Sequence, residues 1–198
     1  MKKLCYNNSC LLWQGAGVSR PDVIWYNEYG DIMIVLGIDP GLATVGYGVV
    51  CFENNCALSL VDYGTIDTQA GLPMPRRLSM IAEGISQLIE KYRPDAVAFE
   101  ELFFNTNVKT AIAVAQARGA ALLAAYGHTH ELYEYTPLQV KQAVVGYGRA
   151  DKVQVQMMVK TLCRLREIPK PDDAADAVAV AICHAHSSKT SGLLNTKV

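Results

Sequence analysis

Residues 32–39 form a nearly continuous apolar run that closes on Asp39-Pro40-Gly41. A strand with apolar side chains on both faces must be covered on both sides, and the Asp-Pro-Gly that ends it supplies a turn. This one segment requires a central strand sandwiched between helices, and the segments after it agree. Residues 45–52 and 57–66 are rich in β-formers, with Asn54-Asn55 between them as a turn signal, so the first three strands read as a meander. Residues 75–92 carry Leu78, Ile81, Ile85, Leu88 and Ile89 at helical spacing, with proline where a first turn tolerates it. A strand at 95–100, a helix at 107–126 and a strand at 131–135 follow. Helices at 138–145, 152–166 and 172–186 close the chain, separated by Gly146-Tyr147-Gly148 and Ile168-Pro169. The order predicts an α/β fold: a mixed five-stranded sheet with its first strand beside its fourth and helices on both faces.

Residues 1–32 show no sustained period of two or of 3.6, so they read as a poorly ordered extension or an upstream start. The working domain is expected at 33–188, with a tail at 189–198. Lys2 and Lys3 imitate the basic start of a signal peptide, but Asn7, Asn8 and Ser9 break the apolar stretch that would have to follow. No apolar stretch approaches the roughly 20 residues that cross a bilayer. A cytoplasmic protein is therefore expected. With 51% hydrophobic and 19% charged residues, the 198-residue chain excludes bulk disorder and suits one domain. Six scattered cysteines suit free thiols in a reducing compartment, and Cys51 and Cys56 lack the second pair that a zinc site needs.

The acidic residues carry the chemistry. Apolar strand 35–38 ends on Asp39 and apolar strand 96–99 ends on Glu100. If these strands are parallel neighbours, their ends lie about 4.8 Å apart, and two carboxylates meet at the carboxyl edge of the sheet, where α/β ligands bind. Taken singly, Asp39 could merely open a turn, and Glu100 and Glu101 could be solvated. The third element is Pro171-Asp172-Asp173-Ala174-Ala175-Asp176-Ala177. Asp173 and Asp176 share one helix face, and the alanines let that helix lie close to the sheet. Acids in a first turn favour the helix dipole, which explains Asp172 or Asp173 but not Asp176, a full turn in among small apolar residues. Spacing alone leaves Asp172 as a rival to Asp173. Hard oxygen ligands without thiolate or imidazole point to Mg²⁺ or Mn²⁺, and two such ions about 3.5 to 4 Å apart support in-line displacement at phosphorus.

The ordered motifs resemble the RuvC family of crossover junction endodeoxyribonucleases, which have a ribonuclease-H-like fold. The likeness spans residues 33–186 and rests on Gly37-Ile38-Asp39-Pro40-Gly41 with Gly46-Tyr47-Gly48, on Phe99-Glu100-Glu101-Leu102-Phe103, on Gln116-Ala117-Arg118-Gly119, on Val140-Lys141-Gln142 and on Asp173-Ala174-Ala175-Asp176-Ala177. The resemblance implies a homodimeric nuclease that resolves Holliday junctions in recombination and repair. It would use two Mg²⁺ per subunit, with Mn²⁺ able to substitute, leave 5′-phosphate and 3′-hydroxyl ends, and work with the RuvA and RuvB branch-migration complex. It also implies that Asp39, Glu100, Asp173 and Asp176 are the catalytic, metal-binding carboxylates, which selects Asp173 over Asp172. By the same resemblance Phe103 stacks on an unpaired base, and Lys141 and Lys152 line the DNA cleft. Glu101 stands where better-known members carry Gln, and Phe104 doubles the aromatic.

The overall charge of −1, from 18 basic and 19 acidic residues, gives no global field toward DNA. Locally the balance differs. Residues 139–170 hold seven cations, Arg149 among them, against two acids, a net of +5 and a candidate phosphate surface. Ala113, Ala117, Ala121 and Ala125 form a small-residue stripe that could face the sheet or a sister subunit, and a dimer is the favoured reading. His184 and His186 point to different sides of one helix and read as structural. The rival functions are a related nuclease acting on RNA or hybrid, a junction-binding protein that does not cut, and an actin-like phosphotransferase. The last lacks a second phosphate hairpin and lobe.

Overall fold

The computed structural model describes residues 2–6, 9–13, 32–53, 57–102, 108–189 and 196–197. Strands β1 (Lys2–Tyr6) and β2 (Ser9–Trp13) pair antiparallel in a sheet of their own. No alternating pattern in the sequence announces this hairpin. The main sheet is built from β3 (Ile32–Asp39), β4 (Thr44–Glu53), β5 (Leu58–Asp67), β6 (Ala96–Glu100) and β7 (Leu132–Tyr135). A two-residue strand β8 (Thr196–Lys197) joins its edge, in the segment expected to be only a tail. The order is β5-β4-β3-β6-β7-β8. The meander pairs antiparallel, while β3 runs parallel to β6, and β6 to β7. The expected neighbours are thus in place, in an α/β sandwich.

Helices α1 (Met74–Tyr92) and α2 (Val108–Tyr126) cover one face. There Ile81, Ile85 and Ile89 pack with Leu36, Ile38, Val97 and Phe99. Ala117, Ala121 and Ala125 are fully buried in the same cluster, so the alanine stripe faces the chain's own core and not a sister subunit. Small side chains at that face let α2 approach α1 and the sheet closely.

Helices α3 (Pro137–Val145), α4 (Lys152–Leu162) and α5 (Asp172–Lys189) cover the other face. Capping boxes start α3 at Thr136 with Gln139 and α4 at Asp151 with Gln154. Helix α4 ends four residues before the expected Arg166. Arg164 turns left-handed at φ 53°, the Leu165 N–H reaches the Lys160 carbonyl at 2.8 Å, and the Arg164 N–H reaches that of Thr161 at 3.1 Å. These two bonds form a Schellman closure without glycine.

Helix α5 lies directly on the strands it crosses. A Cβ on Gly37 would sit 2.2 Å from the Ala177 carbonyl oxygen, and one on Gly46 would sit 2.0 Å from that of Asp173. Only glycine on the strands and alanine on the helix permit this contact. Gly37→Ala is therefore expected to cost about 1 to 3 kcal/mol, because the added methyl meets backbone that cannot step aside. Urea denaturation of the variant beside the wild type measures it, and an unchanged midpoint would refute the close-contact account.

Candidate active site

Side chains alternate along a strand, so Val35, Gly37 and Asp39 all face α5. Asp39 is registered opposite Gly46, over which residue 173 passes. Ile38 pairs with Phe99 in the parallel ladder, which puts Glu100 beside Asp39 on the same face. The helix contact thus brings Asp173 and Asp176 to the strand ends that carry Asp39 and Glu100. A pocket there is lined by Glu100 and Asp176 together with Lys141, Lys152, Pro137 and Val140, while Asp39 and Asp173 stand beside that lining.

Electrostatics show the crowding. Burial, reinforced by the charges of Glu100, Asp176 and Asp173, pushes the Asp39 carboxyl up to about 8. Burial and then Asp176 push Glu100 up to about 7, against the pull of Lys152, a hydrogen bond with Asp39, and Lys141. Asp176 is also raised, because its burial outweighs the Lys152 ammonium, whose Nζ lies 2.8 Å from Asp176 Oδ2. Lys152 is in turn held charged by that contact. Desolvated like charges at this density ask for cations.

Asp172 is half-buried like Asp173; its Oδ1 accepts from Lys170 Nζ at 2.8 Å and its Oδ2 lies 3.7 Å from Lys152 Nζ, whereas the charge of Asp173 acts on Asp39. Glu101 faces elsewhere. It points to the α2 side, where its charge acts on Arg118, which is ion-paired with Glu134 of β7. Arg118 and Glu134 are 16 positions apart on a helix and a strand, and no periodicity signals their meeting.

The donor set suits a divalent cation of the hard, oxygen-seeking kind. It is not a closed cage: among the described residues, no three His, Cys, Asp or Glu side chains converge tightly enough to enclose an ion. The four acids share one charged neighbourhood, with the Lys152 ammonium on Asp176 and the Lys141 side chain beside Glu100. Arg149 is exposed in the loop that joins α3 to α4. Phe103 and Phe104 lie outside the described residues.

The remaining candidates are structural. His184 Nδ1 bonds the Tyr135 hydroxyl at 2.8 Å, and burial pulls its pKa down to about 4. His186 Nδ1 lies 3.1 Å from the Ala143 carbonyl oxygen. Cys51, Cys163 and Cys183 are buried free thiols pushed up to about 11, 12 and 12. Cys56 is outside the described residues. Among the described residues no helix is long and apolar enough to cross a membrane.

Comparison with known proteins gives one consistent result. The model of the family described as crossover junction endodeoxyribonuclease RuvC matches residues 35–184. A protein of that name from Alkaliphilus oremlandii is 57% identical over 165 residues, 83% of this chain and all of that one. Another from Rubrobacter xylanophilus is 61% identical over 158 residues, 80% of this chain and 88% of that one. Among solved structures, Thermus thermophilus RuvC is 36% identical with a TM-score of 0.77, covering 83% of this chain and all of that one. The same protein in complex with a Holliday junction substrate is 34% identical with a TM-score of 0.76, over the same shares. The yeast mitochondrial Holliday junction resolvase, at 15% identity and a TM-score of 0.58, shares the fold.

Asp39 keeps its proton in the folded protein up to about pH 8 but loses it near 3.8 when unfolded. Between those values the folded state binds more protons, so stability falls as pH rises, and the full penalty is present above pH 8. Asp39→Asn is expected to flatten this decline and, with chelator present at pH 8, to raise the melting temperature by at least about 2 °C. Melting curves from pH 5 to 9 test it, and parallel declines for the two proteins would refute it.

Proposed function

Because this chain belongs to the RuvC family of crossover junction endodeoxyribonucleases, we propose that it resolves Holliday junctions through paired hydrolysis of opposed phosphodiesters, with Asp39, Glu100, Asp173 and Asp176 as its catalytic carboxylates. The observation that carries the residue assignment is the gathering of these acids at the carboxyl edge of β3 and β6, facing α5 and flanked by Lys141 and Lys152. The family is a metal-dependent nuclease family. Two Mg²⁺ per subunit, replaceable by Mn²⁺, would activate water and neutralise charge on the leaving oxygen, giving 5′-phosphate and 3′-hydroxyl ends.

The chain's own residues supply the rest. Asp39 and Glu100 present oxygen donors from rigid strand ends, and Asp173 and Asp176 present theirs from the first turns of a buried helix. Lys152 Nζ, now on Asp176, is within a side-chain rotation of any phosphate entering the pocket, and Lys141 flanks the same entry. Arg149, exposed between them in sequence, extends the cationic rim, while Phe103 follows Glu100 closely enough in the chain to stack on a base at the crossover. Phosphate contacts of this kind orient the substrate without reading bases, so selectivity would come from junction shape and deformability.

A twofold junction needs two equivalent sites, which a homodimer supplies. The surface that favours one is the outer face of α2, where Ile112, Leu123 and Tyr126 are exposed at 58%, 75% and 55% and recur at helical spacing. The RuvA and RuvB partnership and a cytoplasmic location rest on the family alone.

Asp39→Asn and Asp176→Asn are expected to bind a synthetic four-way junction while cutting it at least about 100-fold more slowly with Mg²⁺, read by gel shift and by product release. Cutting by either variant at the wild-type rate would overturn the carboxylate assignment, and preferential cutting of an RNA–DNA hybrid by the wild type would overturn the substrate. Leu123→Glu is expected to shift the protein to a monomer in sedimentation and to uncouple the two nicks. A monomeric wild type that still makes paired cuts would refute the dimer.

A further inference from the structure

Large apolar side chains exposed among the described residues gather on the outer face of α2, on α4 at Val153 and Met157, and at the α3–α4 corner, where Leu138 and Tyr147 are 55% and 47% exposed. These two positions are neighbours despite the eight residues between them. A Cβ on Gly148 would sit 2.1 Å from Leu138 Cδ1, so the Leu138 side chain lies over the backbone that carries Tyr147.

The corner is rigid at both ends. Gly146 closes α3 in the left-handed conformation at φ 94°, with its N–H on the Gln142 carbonyl at 2.9 Å, and Asp151 opens α4 with a capping box. Ala150, between them, is buried. Tyr147 is therefore presented outward by a fixed frame, and its hydroxyl makes no hydrogen bond among the described residues. The frame is attached to the active site. Pro137, immediately before Leu138, lines the acidic pocket, as do Lys141 of α3 and Lys152 of α4, and Arg149 is exposed two residues past Tyr147. A flat apolar ring and an isobutyl group, on a corner whose two helices carry Lys141 and Lys152 to the acidic pocket and whose loop exposes Arg149, match the two chemistries of one ligand: stacked base and phosphate backbone.

We propose that Tyr147, backed by Leu138, is a stacking platform for an unpaired base of the DNA strand that enters the pocket, close to the phosphate to be cut. The inference rests on the nuclease reading above and adds to it a contact on the α3–α4 side, opposite in sequence to the loop that carries Phe103. Stacking uses the π-face of any base, so the platform would hold the strand without selecting its sequence. The Tyr147 hydroxyl has no part in it.

The test uses four-way junctions with 2-aminopurine at successive positions beside the cleavage site, titrated with full-length wild type, Tyr147→Phe, Tyr147→Ala and Leu138→Ala. The wild type and Tyr147→Phe are expected to quench the probe at one position on binding. Tyr147→Ala is expected to lose that quenching and to bind the junction at least fivefold more weakly, with an unchanged salt slope because no phosphate contact is removed. Leu138→Ala is expected to fall between them. Melting temperatures matched to the wild type establish that the variants are folded. Tyr147→Ala binding and quenching like the wild type would overturn the proposal, and so would equal losses for Tyr147→Phe and Tyr147→Ala, which would assign the contact to the hydroxyl. A wild type that fails to cut the junction would instead defeat the nuclease reading, so the two failures are distinguishable.

Discussion

The contact of α5 on β3 and β4 is the constraint on which the rest of the structure depends. Helix backbone meets strand backbone there without side chains between them, at Gly37 and Gly46 on one partner and among the alanines of residues 174–181 on the other. Close approach does two things at once. It buries Val178, Ile182 and their neighbours in the core, and it sets the position of Asp173 and Asp176 against Asp39 and Glu100. Fold and site are therefore one piece of packing. A substitution that loosens the helix also pulls apart the acids, even when it lies two turns away.

The site is assembled against its own electrostatics. Asp39, Glu100 and Asp176 occupy a region where burial alone penalises charge, and the nearest compensation within the chain is the Lys152 ammonium on Asp176. Such a cluster lowers the stability of the protein that holds it, and the well-packed core on both faces of the sheet offsets that cost. The arrangement also explains why the chain can be acidic overall and still suit DNA. Lys141 and Lys152 stand next to the acids, so the local field near the pocket is mixed in sign, and its balance is set by what the carboxylates hold.

Much of this was legible in the sequence, for identifiable reasons. A strand covered on both faces writes itself as an unbroken apolar run, and the acids that end residues 35–38 and 96–99 stand out because such runs seldom finish on charge. The alanines around Asp176 signalled close approach in the same way. What could not be read depends on three-dimensional partners. Periodicity left Asp172 and Asp173 equal, and what marks Asp172 off is its bond to Lys170, a partner outside the helix. The alanine stripe of α2 carried no label saying which side it faced; the structure turns it inward and leaves Ile112, Leu123 and Tyr126 outside. Helix α4 stops early because Arg164 adopts a conformation that its side chain does not advertise.

Glu100 and Glu101 are consecutive, chemically almost identical, and directed to opposite faces of the sheet, one to the acids of α5 and the other to the Arg118–Glu134 pair. A slip of β6 by a single position would exchange them. Arg118 would meet a carboxylate in either alignment, so the choice falls to the residues before them: Val97 and Phe99 fill the core beneath α1 and α2 while small Ala98 lies beneath α5, and a slip would drive the phenyl ring against that closely laid helix.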